Sequence, residues 1–263
     1  MNQERSSERE GDGIMNNKNK SLADKIPKRV WLLISFAVAM LFWYILSIIP
    51  STSRAFQNVV VVCQSIKTMI DRGVLGTDIL SSLISVVAGY VLGFVIALPV
   101  AILMAWYKPV RYIIEPWIQF IRNIPPLAYV PLIVIAAGVG RKPQIIVITI
   151  ACFLTMCITI YQGVINVDET LIKAARVLGA ATLPFILTAV RLGASVALTT
   201  LIAAESTGAT AGLGMRIRSL NNSFESAPML LYIIIIGILG ISMEKLIKYL
   251  ERRLTSWQEK REI

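Results

Sequence analysis

The stretch ILSSLISVVAGYVLGFVIALPVAILMAW, from Ile79 to Trp106, carries no charged side chain from end to end. A helix rises about 1.5 Å per residue and the hydrocarbon core of a bilayer is about 30 Å thick, so roughly 20 such residues suffice to cross it. This run is longer than that and reads as a transmembrane helix. Small residues recur in it at every fourth position: Ser81, Ser85, Gly89, Gly93, Ala97, Ala101 and Ala105. Such an edge lets another helix backbone approach closely, most tightly at Gly89-x-x-x-Gly93 and on to Ala97. The spacing predicts that this helix packs in the middle of a bundle.

Working outward, five more apolar runs appear, uncharged except for Arg191 in the fourth: Val30 to Ile49, Leu127 to Val139, Ile145 to Val164, Phe185 to Ala204 and Met229 to Met243. The one at Leu127 is short, follows Pro125-Pro126 and contains Pro131; an amphipathic lead-in from Tyr112 to Ile124 brings the chain to it. The chain of 263 residues is 56% hydrophobic and only 16% charged, with mean hydropathy +0.68. Soluble domains carry about a quarter charged residues, so both composition and patterning give an all-α polytopic membrane protein of about six spans.

The net charge of +10 raises nucleic acid as a partner, but its distribution answers otherwise. With the N-terminus in the cytoplasm, 18 Lys and Arg flank the spans inside and 7 outside, and Arg191, within a span, completes the 26. That asymmetry fits both termini inside, in the plasma membrane of a bacterium. Residues 1–27 are polar and read as a disordered tail, 28–250 as the membrane domain and 251–263 as a basic cytoplasmic tail. The segment from Lys245 to Arg261 suits contact with anionic lipid and equally an ordinary helix end.

Several chemistries are absent. The chain has no histidine, which removes His-based catalysis and the usual metal sites. Cys63, Cys152 and Cys157 form no C-x-x-C pair, and Cys152 and Cys157 read as small packing residues. No phosphate-binding glycine loop occurs, so ATP, if used, is bound by another chain and no cofactor is expected on this one. None of the five aspartates, Asp78 included, falls deep in a span, which leaves an intramembrane enzyme without its usual groups.

Ionisable groups in a bilayer each need a reason. Arg191 is near enough to the cytoplasmic end of its span to snorkel. Glu205, at the outer end of the same span, can line an aqueous path or serve as an interfacial structural group. Thr155 and Thr159 share one helix face, where bonds back to carbonyls are the default.

The most informative segment is Asp168-Glu169-Thr170-Leu171-Ile172-Lys173-Ala174-Ala175-Arg176-Val177-Leu178-Gly179-Ala180, amphipathic and lying between two spans. It resembles the E-A-A-x-x-x-G loop of the membrane subunits of binding-protein-dependent ABC importers. Arg122-Asn123-Ile124-Pro125-Pro126-Leu127-Ala128, followed by Pro131-Leu132, is similar to the R-x-I-P-P-L-A-x-x-P-L signature of the nitrate, sulfonate and taurine branch. Glu205 to Ala209, followed by Ala211-Gly212-Leu213-Gly214, resembles its A-E-x-x-G-A-x-A-G-L-G segment.

The resemblance implies a homodimeric permease fed by an extracytoplasmic substrate-binding protein and driven by an ATP-binding subunit. The subunit would dock on a coupling helix containing Asp168, Glu169, Lys173, Ala174, Ala175 and Gly179. Candidate path residues are Arg122, Pro125, Pro126, Thr155, Thr159 and Glu205, and the implied solute is a small anion such as a sulfonate or nitrate. Two departures stand out. Lys173 replaces the first glutamate of the loop, and Leu183-Pro184 follows Gly179 by five residues where the family pattern has about 13, so 8 to 12 residues are expected to be missing and coupling to be impaired. The competing reading is a secondary transporter or channel that needs no ATPase, for which the proline-interrupted run at Leu127 would suit a broken helix.

Overall fold

The computed structural model describes residues 27–165 and 183–254, and among these all regular structure is helical. The chain divides after Val59 into two units. The first contains α1 (Lys28–Ile48), apolar around its whole circumference as a lipid-facing helix is. It ends where Ile49 turns extended ahead of Pro50, because a residue before proline is pushed out of the helical region. The Trp43 indole donates to the Gln57 carbonyl at 3.0 Å and pins the chain that follows.

The second unit comprises α2 (Val59–Asp71), α3 (Leu75–Trp106), α4 (Lys108–Arg122), α5 (Pro126–Ala137), α6 (Arg141–Ile165), α7 (Leu183–Gly208), α8 (Leu213–Asn222) and α9 (Ser226–Leu254). Gly73, at φ +69, makes the left-handed turn that separates α2 from α3. The expected span from Ile79 is the longer α3, and the last expected span does not stop at Met243 but continues as one helix through Leu254.

The small edge of α3 lies close against α6. A Cβ on Gly89 would lie 2.7 Å from the Ile148 Cβ of α6, and one on Gly93 2.7 Å from the Cys152 Cβ. Ala97 and Ala101 are fully buried along the same line. The middle of the bundle is nevertheless α6, not α3. In the apolar window of α6, 61% of residues are buried against 28% in that of α3. The reason is that α3 has one small edge and presents Leu83, Val87, Val91, Val95 and other large apolar side chains outward. By contrast α6 is enclosed by α3 on one side and α7 on the other, where Gly193 of α7 admits the Met156 side chain. Cys152 and Cys157 are buried free thiols within this core.

The short run at Leu127 forms α5, which meets α4 at a bend of 102°. Ile124 and Pro125 both precede a proline, so α4 cannot continue, and Pro126 starts α5 with its φ already helical. Among the described residues, five helices are long and apolar enough to cross a membrane, and the bent pair would make a sixth. The expected coupling residues Asp168, Glu169, Lys173, Ala174, Ala175 and Gly179 lie outside the described residues.

Candidate functional site

The polar residues of the second unit gather where α3 begins, α7 ends and α8 starts. Asp78 sits in the first turn of α3, a place the helix dipole favours, and Ser82 lies one turn on along the same face. Glu205 is near the end of α7. The loop from Gly208 to Gly212 then reverses the chain so that the N-terminus of α8 points at these side chains. Gly212 adopts φ +140, and a Cβ there would run into the Glu205 carboxylate, so the turn requires glycine.

The first N–H groups of a helix have no partner within it. Here the Gly212 N–H donates to Asp78 Oδ1 (3.1 Å), the Leu213 N–H to Ser82 Oγ (2.8 Å) and the Gly214 N–H to Glu205 Oε2 (2.7 Å). The Ser82 hydroxyl donates in turn to Glu205 Oε1 at 2.6 Å. Arg216, from the first turn of α8, donates through Nε to Asp78 Oδ2 at 2.7 Å, and the Tyr232 hydroxyl of α9 reaches the same oxygen at 2.9 Å. Asp78, Ser82, Glu205 and Tyr232 are all buried. The hydrogen bond to Asp78 holds the Arg216 pKa above its ordinary value, against the opposing effect of partial burial. Two buried carboxylates, one guanidinium and three backbone donors thus tie α3, α7, α8 and α9 together.

Beside this cluster, the Ser85 hydroxyl donates to Gln144 Oε1 at 2.8 Å, joining α3 to the first turn of α6. At the other end of the bundle, Arg191 of α7 pairs with Glu251 of α9.

Of the residues expected to line a path, only Glu205 belongs to this cluster, and it is 1% exposed with both oxygens occupied. Arg122 and Pro125 are exposed at the α4–α5 bend, and Pro126 opens α5. Thr155 and Thr159 are half-buried on α6, with the Thr159 hydroxyl donating to the Thr155 carbonyl at 2.8 Å. Among the described residues, no hydrogen bond links any of these five to Glu205. The sequence reading missed Asp78, Ser82, Gln144, Arg216 and Tyr232. A faint signal existed, since Asp78, Ser81, Ser82 and Ser85 fall on one helical face at the start of an apolar run.

The second unit is thus a bundle of membrane-length helices, with a bent pair broken at Pro125-Pro126 and a short helix capped after a glycine turn. Residues 89–256 match the family described as the binding-protein-dependent transport system inner membrane component, and the chain belongs to that family. A probable ABC transporter permease protein of Brucella abortus (strain 2308) is 42% identical over 240 residues, covering 87% of this chain and 95% of that protein. The taurine transport system permease protein TauC of Escherichia coli (strain K12) is 37% identical over 172 residues, covering 61% of this chain and 62% of that one. The nitrate import permease protein NrtB of Synechocystis (strain PCC 6803) is 27% identical, covering 72% and 73% respectively.

The fold is that of the MetNI methionine ABC transporter in inward-facing conformations, with TM-score 0.60, 18% identity and coverage of 69% of this chain and 96% of that one. Membership in this family makes the chain a multi-pass inner-membrane permease component of an ABC importer, and it disfavours an ATPase-independent transporter.

The alignments carry one further fact. The Brucella alignment runs over 240 positions but draws on 87% of a 263-residue chain, about 229 residues, so about 11 of its positions have no counterpart here. The TauC alignment, 172 positions on 61% of the chain or about 160 residues, has about 12 such positions.

Proposed function

We propose that this permease carries a small anion, such as a sulfonate or nitrate, inward across the membrane as one half of a homodimer. An extracytoplasmic binding protein delivers the solute, and ATP is hydrolysed on a separate subunit. What supports the anion is the company the chain keeps among relatives named for taurine and nitrate. The proposed orientation, both termini cytoplasmic, rests on the excess of Lys and Arg on that side. In that frame the Asp78 and Glu205 cluster is extracytoplasmic and fixes α8 as a rigid outer element.

The ATP-binding subunit docks on the segment containing Asp168, Glu169, Lys173, Ala174, Ala175 and Gly179, and transmits rigid-body movement through it. The path itself passes Arg122, Pro125, Pro126, Thr155 and Thr159, with Glu205 bracing its outer end. What supports a shortened coupling element is that Leu183-Pro184 follows Gly179 too soon; the roughly 11 unmatched positions, whose place in the chain the coverages do not give, agree with it in number. A helix short by two turns or more offers less surface to a partner, so coupling here is weak.

The test is reconstitution with the cognate ATP-binding subunit and binding protein. Uptake and solute-stimulated ATPase should both rise at least tenfold when about 11 residues are inserted between Ala180 and Leu183. Equal uptake by the two chains would remove the coupling claim. Failure of either chain to take up any anion, with ATPase present, would remove the solute class.

A further inference from the structure

A cavity of about 260 Å³ opens between the start of α3, the N-terminal turn of α6 and the loop before α8, lined by Thr77, Leu80, Ser81, Arg141, Gln144, Thr210 and Ala211. At about 30 Å³ per water it has room for roughly eight, too small for a drug-sized ligand and ample for a small ion. Gln144 is 2% exposed, and its Oε1 is taken by Ser85. Its Nε2 has no hydrogen-bond partner among the described residues. Among the described residues no buried side-chain nitrogen or oxygen is left without a partner, so this amide has access to open space, and Gln144 is one of the residues that line the cavity. A buried amide held by one edge and left free at the other is a donor waiting for an acceptor.

Its surroundings specify the acceptor. Among the described residues, Arg141, exposed at the rim, has no ion pair, and the exposed Thr210 hydroxyl has no hydrogen-bond partner. The hydroxyls of Thr77 and Ser81 already donate to the carbonyls of Val74 and Ala211, so the free donors are Arg141, Gln144 and Thr210. The cavity sits at the N-terminus of the 25-residue α6, where the dipole and unpaired N–H groups attract negative charge. No carboxylate lines the cavity, and Asp78, next to Thr77 in sequence, is paired with Arg216 and accepts from the Gly212 N–H and the Tyr232 hydroxyl.

We propose that this cavity is an oxyanion-binding site on the outer face of the permease, taking nitrate or a sulfonate head group. Arg141 supplies the charge, and Gln144 and Thr210 the directed hydrogen bonds. Placing it on the outer face, as a first stop for solute, rests on the transport reading above, whereas the binding chemistry rests on the cavity alone.

The probe is trifluoromethanesulfonate, read by ¹⁹F line broadening on the full chain in maltoside micelles, with empty micelles as blank. No ATP, partner subunit or uptake enters, so failure of the transport reading would leave the result intact. Saturable broadening displaced by nitrate is expected. Arg141→Gln and Gln144→Leu should each weaken it at least tenfold, and Lys142→Gln, an exposed neighbour outside the cavity, by less than twofold. Arg141→Gln alters only an exposed side chain, so it decides the matter even where Gln144→Leu misfolds. No saturable broadening, or equal loss in Arg141→Gln and Lys142→Gln, would overturn the site. Competition by dihexanoyl-phosphatidylglycerol with none by nitrate would assign the cavity to a lipid phosphate and overturn the solute reading.

Discussion

Asp78 accepts the Arg216 Nε–H at 2.7 Å although 138 positions separate the two residues, and the carboxylate is wholly buried while the guanidinium is 22% exposed. This contact joins the first turn of α3 to the first turn of α8. It also leaves Asp78 as the shared acceptor for Gly212 and Tyr232. Removing one member of a buried pair strands the other, which is why the pair matters more for integrity than its net energy would imply.

Asp78→Ala should therefore destabilise the purified chain by about 3 kcal/mol, with Arg216, Tyr232 and Gly212 all losing a partner. Asp78→Asn keeps an acceptor for the tyrosine and should lose less. Melting followed by a thiol-reactive dye in a Cys63→Ser background suits the measurement, because Cys63 is exposed whereas Cys152 and Cys157 are buried until the core opens. An unchanged melting temperature in Asp78→Ala would show that α8 is held by other means.

Glu205 accepts only from donors, so Glu205→Gln can still satisfy the Gly214 N–H and bond Ser82. It should melt close to the parent, whereas Glu205→Ala leaves a buried N–H unpaired at a cost of about 1–3 kcal/mol. Gly212→Ala should be at least as damaging, since it meets both a φ of +140 and the Glu205 carboxylate. Equal melting of Gln and Ala variants at 205 would reduce that side chain to filler.

Gly89 and Gly76 form a matched pair on the same helix. Gly89→Val drives carbon into Ile148 and should cost about 1–3 kcal/mol by overpacking. Gly76 has nothing within 4 Å of its missing Cβ and an ordinary φ, so Gly76→Ala should be neutral or stabilise by up to about 1 kcal/mol. Chemical denaturation of both in one detergent gives the comparison, and a tolerated Gly89→Val would mean that α3 and α6 part easily.

Phe224 is 91% exposed yet held at φ +57, a left-handed conformation that disfavours any residue with a Cβ. Phe224→Gly should consequently be more stable than Phe224→Ala by about 1 kcal/mol, both having lost the same ring. Identical melting would indicate that the turn relaxes once the phenylalanine is gone.

Much of this protein is written in its order of residues. The apolar runs mark which segments can cross a bilayer, because transfer of a segment from water depends mainly on its own side chains. Pro125-Pro126 marks the α4–α5 break for an equally local reason, since a proline constrains its own φ and the residue before it. The order of three short motifs was enough to point to the family.

Other features were beyond reach. The small edge of α3 marks a close approach but not the partner, and only the folded bundle puts Ile148 and Cys152 against it and α6 at the centre. In the sequence Asp78 is one of five aspartates that fall outside the depth of any span, and Gln144 carries no motif that sets it apart. Their roles depend on partners 59 to 154 positions away, brought into range by helix packing. Sequence determined which segments enter the membrane. Tertiary structure alone decided which polar groups within them meet, because a hydrogen bond needs its two atoms within about 3 Å and no local pattern encodes that distance.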